Sequence, residues 1–107
     1  MEGTCLRLYL HQLQKRDGEP LYDWLLKKAQ AMGIHGGTAF RALAGYGRSG
    51  ILHEQRFFEL AADLTVELEF IARGDEAERL LEMIRTERIH VVYAKTPTEF
   101  GVINGEA

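Results

Sequence analysis

The strongest constraint on the fold is the alternation of apolar and polar side chains in two separate segments of the chain. In residues 5 to 11, Leu6, Leu8 and Leu10 alternate with more polar neighbours, and residues 65 to 71 show the same alternation around two glutamates. A period of two places all the apolar side chains of a strand on one face. Both segments are therefore predicted to be strands with one buried face.

Two amphipathic helices are predicted, one after each of these strands. The first covers about 20 to 32, because Pro20 suits a first helical position and Gly33 is a natural C-terminal stop. The second helix is predicted to begin near Asp75, since Asp75 and Glu78 have the spacing of a capping box ahead of an apolar stripe.

Two further strands complete the predicted order of elements. One runs from Thr38 to Ala44 and the other from Ile89 to Ala94, with Pro97 expected to interrupt any continuation. Residues 100 to 105 are expected to form a short edge strand or a mobile terminus. The order strand, helix, strand, strand, helix, strand is that of the α+β ferredoxin-like split βαβ fold (βαββαβ), an antiparallel sheet with two helices on one face.

The predicted sheet has a second face, which the helices do not cover. It is predicted to carry Arg7, Tyr9, Arg41, Leu43, Glu67, Glu69 and Val92. A mixture of charged, aromatic and aliphatic groups is poor as a core and suits a subunit interface, so we predict an oligomer. Arg41 is expected to pair with Glu67 or Glu69 across adjacent strands, and the alternative is that it reaches a ligand from a neighbouring subunit.

Length and charge limit the class of protein. A chain of 107 residues can bury one core and has no room for a second, so residues 1–107 are expected to form a single domain. Its 13 basic and 16 acidic side chains give a net charge of -3, which argues against a nucleic-acid partner. The N-terminus lacks the pattern of a signal peptide, and no apolar stretch approaches the length of roughly 18 residues that a membrane span needs. We therefore predict a cytoplasmic protein without membrane insertion. The single cysteine, Cys5, cannot form an internal disulfide and fits a reducing compartment.

Three glycines follow the predicted second strand with the spacing G-x-G-x-x-G, at Gly45, Gly47 and Gly50. Glycine permits positive φ angles and exposes backbone N–H groups to an anion, so this segment is a candidate ligand loop. A plain hairpin turn is one alternative, and a Rossmann fingerprint is another. The Rossmann alternative is disfavoured because Glu67 and Glu69 alternate in mid-strand, whereas strands of a parallel dinucleotide sheet are covered on both faces.

The same loop carries a family resemblance. Residues 45 to 48, Gly-Tyr-Gly-Arg, resemble the Gly-Phe-Gly-Arg entrance to the T-loop of PII signalling proteins. The run from Arg41 to Leu64 and the opening Leu-Arg-Leu-Tyr-Leu resemble the PII-like family known as domain of unknown function 190, across essentially the whole chain. This resemblance implies a homotrimer that senses an adenine nucleotide (ATP, ADP or AMP) in clefts between subunits. It also implies a flexible T-loop-like segment at about 45–62 that transmits the signal to a regulated protein or transporter, whose identity is unknown.

The resemblance also implies roles for individual residues. Gly45 and Gly47 would approach the nucleotide with their backbone, and Arg48 would offer charge to phosphate. Two further ligand-binding candidates follow from position and not from the resemblance. Arg41 is expected beside the loop, and His53 shares the loop with Arg48; the alternative for His53 is a solvated loop side chain.

Two departures from PII proteins limit what is carried over. Between the second helix and the last strand the chain reads Thr-Glu-Arg-Ile-His at 86–90, without the glycine-rich phosphate loop that PII proteins have there. There is also no tyrosine between residues 47 and 92, so nucleotidylation of a loop tyrosine is not predicted.

The sequence also lacks the common motifs of catalysis and metal binding. The chain has no G-x-S-x-G or H-E-x-x-H motif and no nucleophile beside a base, so no catalytic residue, enzyme activity or required cofactor is predicted. The four histidines are dispersed, and no metal site is predicted. Two alternatives stay open: a ligand-free structural or interaction module, and a metal-responsive trimer like the CutA proteins, in which His53 would be required.

Overall fold

The computed structural model describes residues 1–44 and 65–105, and it has the ferredoxin-like order of elements. The elements are β1 (Glu2–His11), β2 (Lys15–Arg16), β3 (Glu19–Pro20), α1 (Leu21–Ala31), β4 (Gly37–Arg41), β5 (Thr65–Ala72), α2 (Gly74–Thr86) and β6 (Val92–Glu99). Among the described residues, four strands form an antiparallel sheet in the order β4-β5-β1-β6, and β2 and β3 form a small hairpin. The predicted fold class is confirmed.

The core lies between this sheet and the two helices. β1 occupies an inner position, with Leu6 opposite Phe70 and Leu8 opposite Leu68, and these four side chains are fully buried. The apolar stripes of both helices cover the same face, through Leu21, Trp24, Leu25 and Ala29 of α1 and Ala77, Leu80, Leu81 and Ile84 of α2. The period-two and helical patterns of the sequence therefore meet in one core.

The helix ends follow local backbone chemistry. α1 ends at Ala31, and Gly33 follows with a φ of 90°, which lets the N–H of Ile34 donate to the carbonyl of Ala29 at 3.1 Å. α2 begins at an N-cap on Arg73, whose backbone N–H donates to the Glu76 carboxylate at 2.9 Å. The capping box predicted for Asp75 and Glu78 was therefore wrong by two positions. Across the described parts of the chain, no helix has the length and apolar character to cross a membrane.

The last strand differs from its prediction. It covers Val92–Glu99 and contains Pro97 opposite Thr4, so Pro97 does not interrupt it. The reason is its position at the sheet edge. Met1 and Phe100 exchange two backbone hydrogen bonds of 2.9 Å. Hydrogen-bonded and non-hydrogen-bonded residue pairs alternate along an antiparallel ladder, so the pair of Thr4 and Pro97 is not hydrogen-bonded. The nitrogen of Pro97 therefore points away from β1, where no N–H is needed. Residues 100 to 105 form no strand.

The hairpin of β2 and β3 was not predicted. Its turn is Asp17-Gly18, with φ angles of 52° and 83°, the positive values that a two-residue hairpin turn requires. The Asp-Gly dipeptide was the available signal.

Arg16, on this hairpin, joins three elements. Its guanidinium donates to two acceptors of Glu87, which follows α2: the side-chain carboxylate, and the backbone carbonyl at 3.2 Å. The guanidinium also lies 5.1 Å from the ring centroid of Trp24 in α1.

Replacing Arg16 with Met is expected to lower the free energy of unfolding by about 1–3 kcal/mol, because charge-assisted hydrogen bonds and a cation–π contact are lost. Urea unfolding measures the change. The neighbouring exposed Lys15→Met is the control, expected within about 0.5 kcal/mol of the parent, and equal effects of the two variants would contradict the role of Arg16.

Candidate functional site

The candidate site begins with the sheet face opposite the helices, which we call the outer sheet face. Residues directly opposite in an antiparallel register share a face, which assigns to it Thr38 and Phe40 of β4, Glu67, Glu69 and Ile71 of β5, Cys5, Arg7 and Tyr9 of β1, and Val92, Ala94 and Thr96 of β6. Four large apolar side chains of this face are exposed, namely Tyr9, Phe40, Ile71 and Val92. Several exposed apolar groups around charges form a surface suited to a protein interface.

A charged cluster lies in the middle of the outer sheet face. The Nε atom of Arg7 is 3.3 Å from a carboxylate oxygen of Glu69 and 3.9 Å from one of Glu67, and all three side chains are about one-third exposed. The register explains the contact, since Arg7 is directly opposite Glu69 and diagonal to Glu67. One guanidinium between two carboxylates leaves one negative charge, which a covering surface would have to neutralise.

The predicted position of Arg41 was wrong. Arg41 is opposite Val66, so it lies on the helix-covered face, and Phe40, opposite Glu67, occupies the outer sheet face instead. In the described structure the ion pairs of Glu67 and Glu69 are made by Arg7, so the predicted pairing with Arg41 is also wrong. Leu43 lies beyond the end of β4 and is almost fully exposed. The other predicted members of this face, Arg7, Tyr9, Glu67, Glu69 and Val92, are confirmed by the register.

The base of the predicted ligand loop is well defined. The N–H of Ala42 donates to the carbonyl of Thr65 at 2.9 Å, one residue beyond the pairing of Arg41 with Val66. Ala42 and Thr65, which flank residues 43–64, are therefore held side by side. The predicted ligand-binding residues Gly45, Gly47, Arg48 and His53 lie outside the described residues, and Arg41 is exposed at the end of β4.

The next feature is the reactivity and metal-binding capacity of the cysteine and histidine side chains in the described residues. Cys5 is buried on the outer sheet face, and burial raises the pKa of its thiol, which disfavours the reactive thiolate. His11 is used structurally, since its Nδ1 accepts a hydrogen bond of 3.1 Å from the N–H of Leu13 in the turn after β1. Within residues 1–44 and 65–105, no group of three or more His, Cys, Asp or Glu side chains is placed to hold a metal ion.

Comparison with known sequences identifies relatives of this chain. Residues 3–93 match the family DUF190, described as "Uncharacterized ACR, COG1993". A UPF0166 protein of Aquifex aeolicus is 33% identical over 85 residues, which are 79% of this chain and 81% of that protein. A UPF0166 protein of Methanocaldococcus jannaschii is 30% identical over 81 residues, covering 76% of this chain and 74% of that protein.

Comparison with solved structures supports the fold independently. The structure of CPII, a nitrogen regulatory PII-like protein from Thiomonas intermedia K12, bound to ADP, AMP and bicarbonate, superposes with a TM-score of 0.66 at 15% sequence identity. The superposition covers 96% of this chain and 97% of CPII. The two chains therefore share a fold over nearly their whole length.

Proposed function

This chain belongs to the DUF190 family, and from that premise we propose that it is a PII-like regulatory protein that binds an adenine nucleotide and acts as a sensor rather than an enzyme. The observation that carries the proposal is the fold shared with CPII, whose structure holds ADP and AMP. A shared fold hosts many functions. The proposal therefore rests equally on the G-x-G-x-x-G segment, which begins at Gly45, shortly after the end of β4 at Arg41.

The geometry of the loop base suits this role. β4 and β5 belong to the sheet that carries the core, and their ends are joined by the bond between Ala42 and Thr65. This bond holds Ala42 and Thr65, which flank residues 43–64, next to each other. A ligand that contacts the backbone of Gly45 and Gly47 and the charge of Arg48 would then act on a segment anchored at both ends, with Arg41 and His53 as further contacts.

The proposed assembly is a homotrimer in which outer sheet faces meet and nucleotides occupy the clefts between subunits. The exposed apolar groups of the outer sheet face favour its burial, and the surplus carboxylate beside Arg7 favours a cation from the neighbouring subunit. The number three comes from the resemblance to PII proteins.

Signalling would follow from a change in loop population. If nucleotide contacts are made only when the loop at about 45–62 is ordered, the ligand shifts the loop toward that state. A few kcal/mol of differential binding is enough to switch most molecules. The ordered loop would then present a new surface to a regulated protein or transporter.

Calorimetric titration with ATP, ADP and AMP tests the nucleotide proposal. We expect at least one of them to bind, and Gly47→Ala to weaken that binding about tenfold, because a methyl group would obstruct the close approach of the backbone to the ligand. Gly101→Ala is the matched control, since a Cβ at Gly101 meets no atom within 4 Å. Hydrogen exchange in residues 45 to 62 should slow with the same nucleotide.

Each negative result points to a different conclusion. Binding without any change of exchange in residues 45 to 62 would contradict the loop switch. No heat with any nucleotide would favour the ligand-free interaction module. Stabilisation by divalent metals alone, abolished by His53→Ala, would favour the CutA-like alternative.

A further inference from the structure

A cleft opens between the side of α1 and the chain that leads from α1 into β4. It has a volume of about 350 Å³, and its apolar lining includes Leu26, Ile34 and Phe70. Ile34 and Phe70 are buried members of the core, so the cleft reaches the core itself. Gly36 and Gly37 also line it and contribute no side chain. The cleft is therefore large enough for a small organic molecule and offers its carbon atoms an apolar surface.

Polar side chains line the rest of the cleft, and most of them come from one face of α1. Asp23, Lys27 and Gln30 are four and three residues apart, which places them one above another along this face. His35 adds an imidazole from the segment after the helix. A ligand that suits this lining carries a polar or charged group as well as an apolar part.

The charges of these side chains favour a cation. Lys27 donates a hydrogen bond of 2.8 Å to Glu19, so its charge is already neutralised. The hydrogen bond to Glu19 is the largest cause that raises the pKa of Lys27, and the charge of Asp23 is a smaller one. Asp23 is only partly exposed, and among the described residues it forms no ion pair of its own. With histidine neutral, Asp23 therefore gives the cleft one uncompensated negative charge.

The type of cation follows from the other groups of the lining. Asp23 and His35 are its two side chains of the kinds that ligate metal ions well, and the described residues contain no group of three or more such side chains. An ammonium group suits the cleft better, because it donates charge-assisted hydrogen bonds to a carboxylate and can also donate to the carboxamide oxygen of Gln30. The hydrocarbon part of an amine would in addition cover the apolar lining, which a metal ion cannot do.

We propose that this cleft binds a small organic amine, with its ammonium group at Asp23 and Gln30 and its hydrocarbon part against the apolar lining. Glu19 supports the site by holding the ammonium group of Lys27, which would otherwise compete with the ligand for Asp23. No backbone group of β4 takes part, so the site is compatible with an assembly in which a neighbouring subunit covers that edge. The site goes beyond the proposed sensing of nucleotides and does not require it.

Titration of the nucleotide-free protein, followed by NMR of its backbone amides, tests the proposal with three probes of similar size. At neutral pH butylamine is a cation, butyrate is an anion and 1-butanol is uncharged. We expect butylamine to shift the amide signals of Gln30, His35 and Gly36 with a dissociation constant in the millimolar range, because so small a ligand supplies little binding energy. Butyrate and 1-butanol should bind about fivefold more weakly or worse, and added salt should weaken the binding of butylamine.

Two substitutions on the same face of α1 should act in opposite directions. Asp23→Asn removes the carboxylate charge and should weaken the binding of butylamine about fivefold or more. Lys27→Gln removes a competing cation and frees Glu19, so it should strengthen this binding severalfold. A general disturbance of α1 would not move the two variants apart. Asp75→Asn, at an exposed position in the first turn of α2, is the matched control and should leave the affinity unchanged.

Three results would overturn the proposal. One is a set of signal shifts with butylamine no larger than those with butyrate. Another is equal affinity of Asp23→Asn and Asp75→Asn for butylamine, with both variants folded. The third is displacement of butylamine by ADP or AMP, because the cleft would then be part of a nucleotide site. Failure of the protein to bind any nucleotide would leave the amine site intact, so the two proposals are tested separately.

Discussion

Val92→Asp is expected to convert the proposed trimer into monomers. Val92 is on the outer sheet face, opposite Tyr9, and is 39% exposed in the single chain. In an assembly joined through this face, the new carboxylate would lose its hydration near the uncompensated charge of Glu67 and Glu69. The penalty of burying an unpaired charge is several kcal/mol per subunit, and the threefold assembly would incur it at every contact.

Tyr93→Asp provides a matched control for this experiment. Tyr93 is the next residue of the same strand and is 47% exposed, but its register with Leu8 places it on the helix-covered face. Sedimentation equilibrium or light scattering should give one-third of the parent mass for Val92→Asp and the parent mass for Tyr93→Asp. Dissociation by both variants, or by Tyr93→Asp alone, would place the interface elsewhere.

The second large effect is expected at Gly37. A Cβ added there would lie 2.5 Å from Cε1 and 2.8 Å from Cδ1 of Phe70, and 3.1 Å from Cδ2 of Leu26. Phe70 is 1% exposed and belongs to the core, so a shift of its ring disturbs the packing of the core. Gly37→Ala is expected to lower the free energy of unfolding by about 1–3 kcal/mol through overpacking, and Gly37→Val by more.

Gly36→Ala is the control for the clash at Gly37. A Cβ at Gly36 meets no atom within 4 Å, and the backbone there has no positive φ angle. This change should therefore be neutral or stabilising by up to about 1 kcal/mol, because alanine reduces the entropy of the unfolded chain. Thermal and urea unfolding of the two variants measure the difference. Equal stability of Gly36→Ala and Gly37→Ala would show that Phe70 yields without cost.

The sequence was most informative where one face of an element is buried. The alternation in β1 and β5 placed Leu6, Leu8, Val66 and Leu68 in the core, and the structure buries all four. Burial of one face leaves a strong period in the sequence, and that period survives without knowledge of any partner.

The sequence was least informative at the two sheet edges. In β4 every residue is exposed, so burial imposes no alternation of apolar and polar positions, and a one-residue error in phase assigned Arg41 to the wrong face. In β6, Pro97 was taken as a break because its position at an edge, with its nitrogen away from β1, depends on the strand order. Neither error could be corrected from local pattern alone.

The amino-acid sequence by itself determined the order of the major elements, the buried faces of β1, β5 and both helices, and the family resemblance carried by residues 41 to 64. These follow from local periodicity and from short motifs. The tertiary structure decided which strands end the described sheet, and that Arg7 and not Arg41 contacts Glu67 and Glu69. Those features depend on the register between strands that are distant in the chain, and register is a property of the assembled sheet.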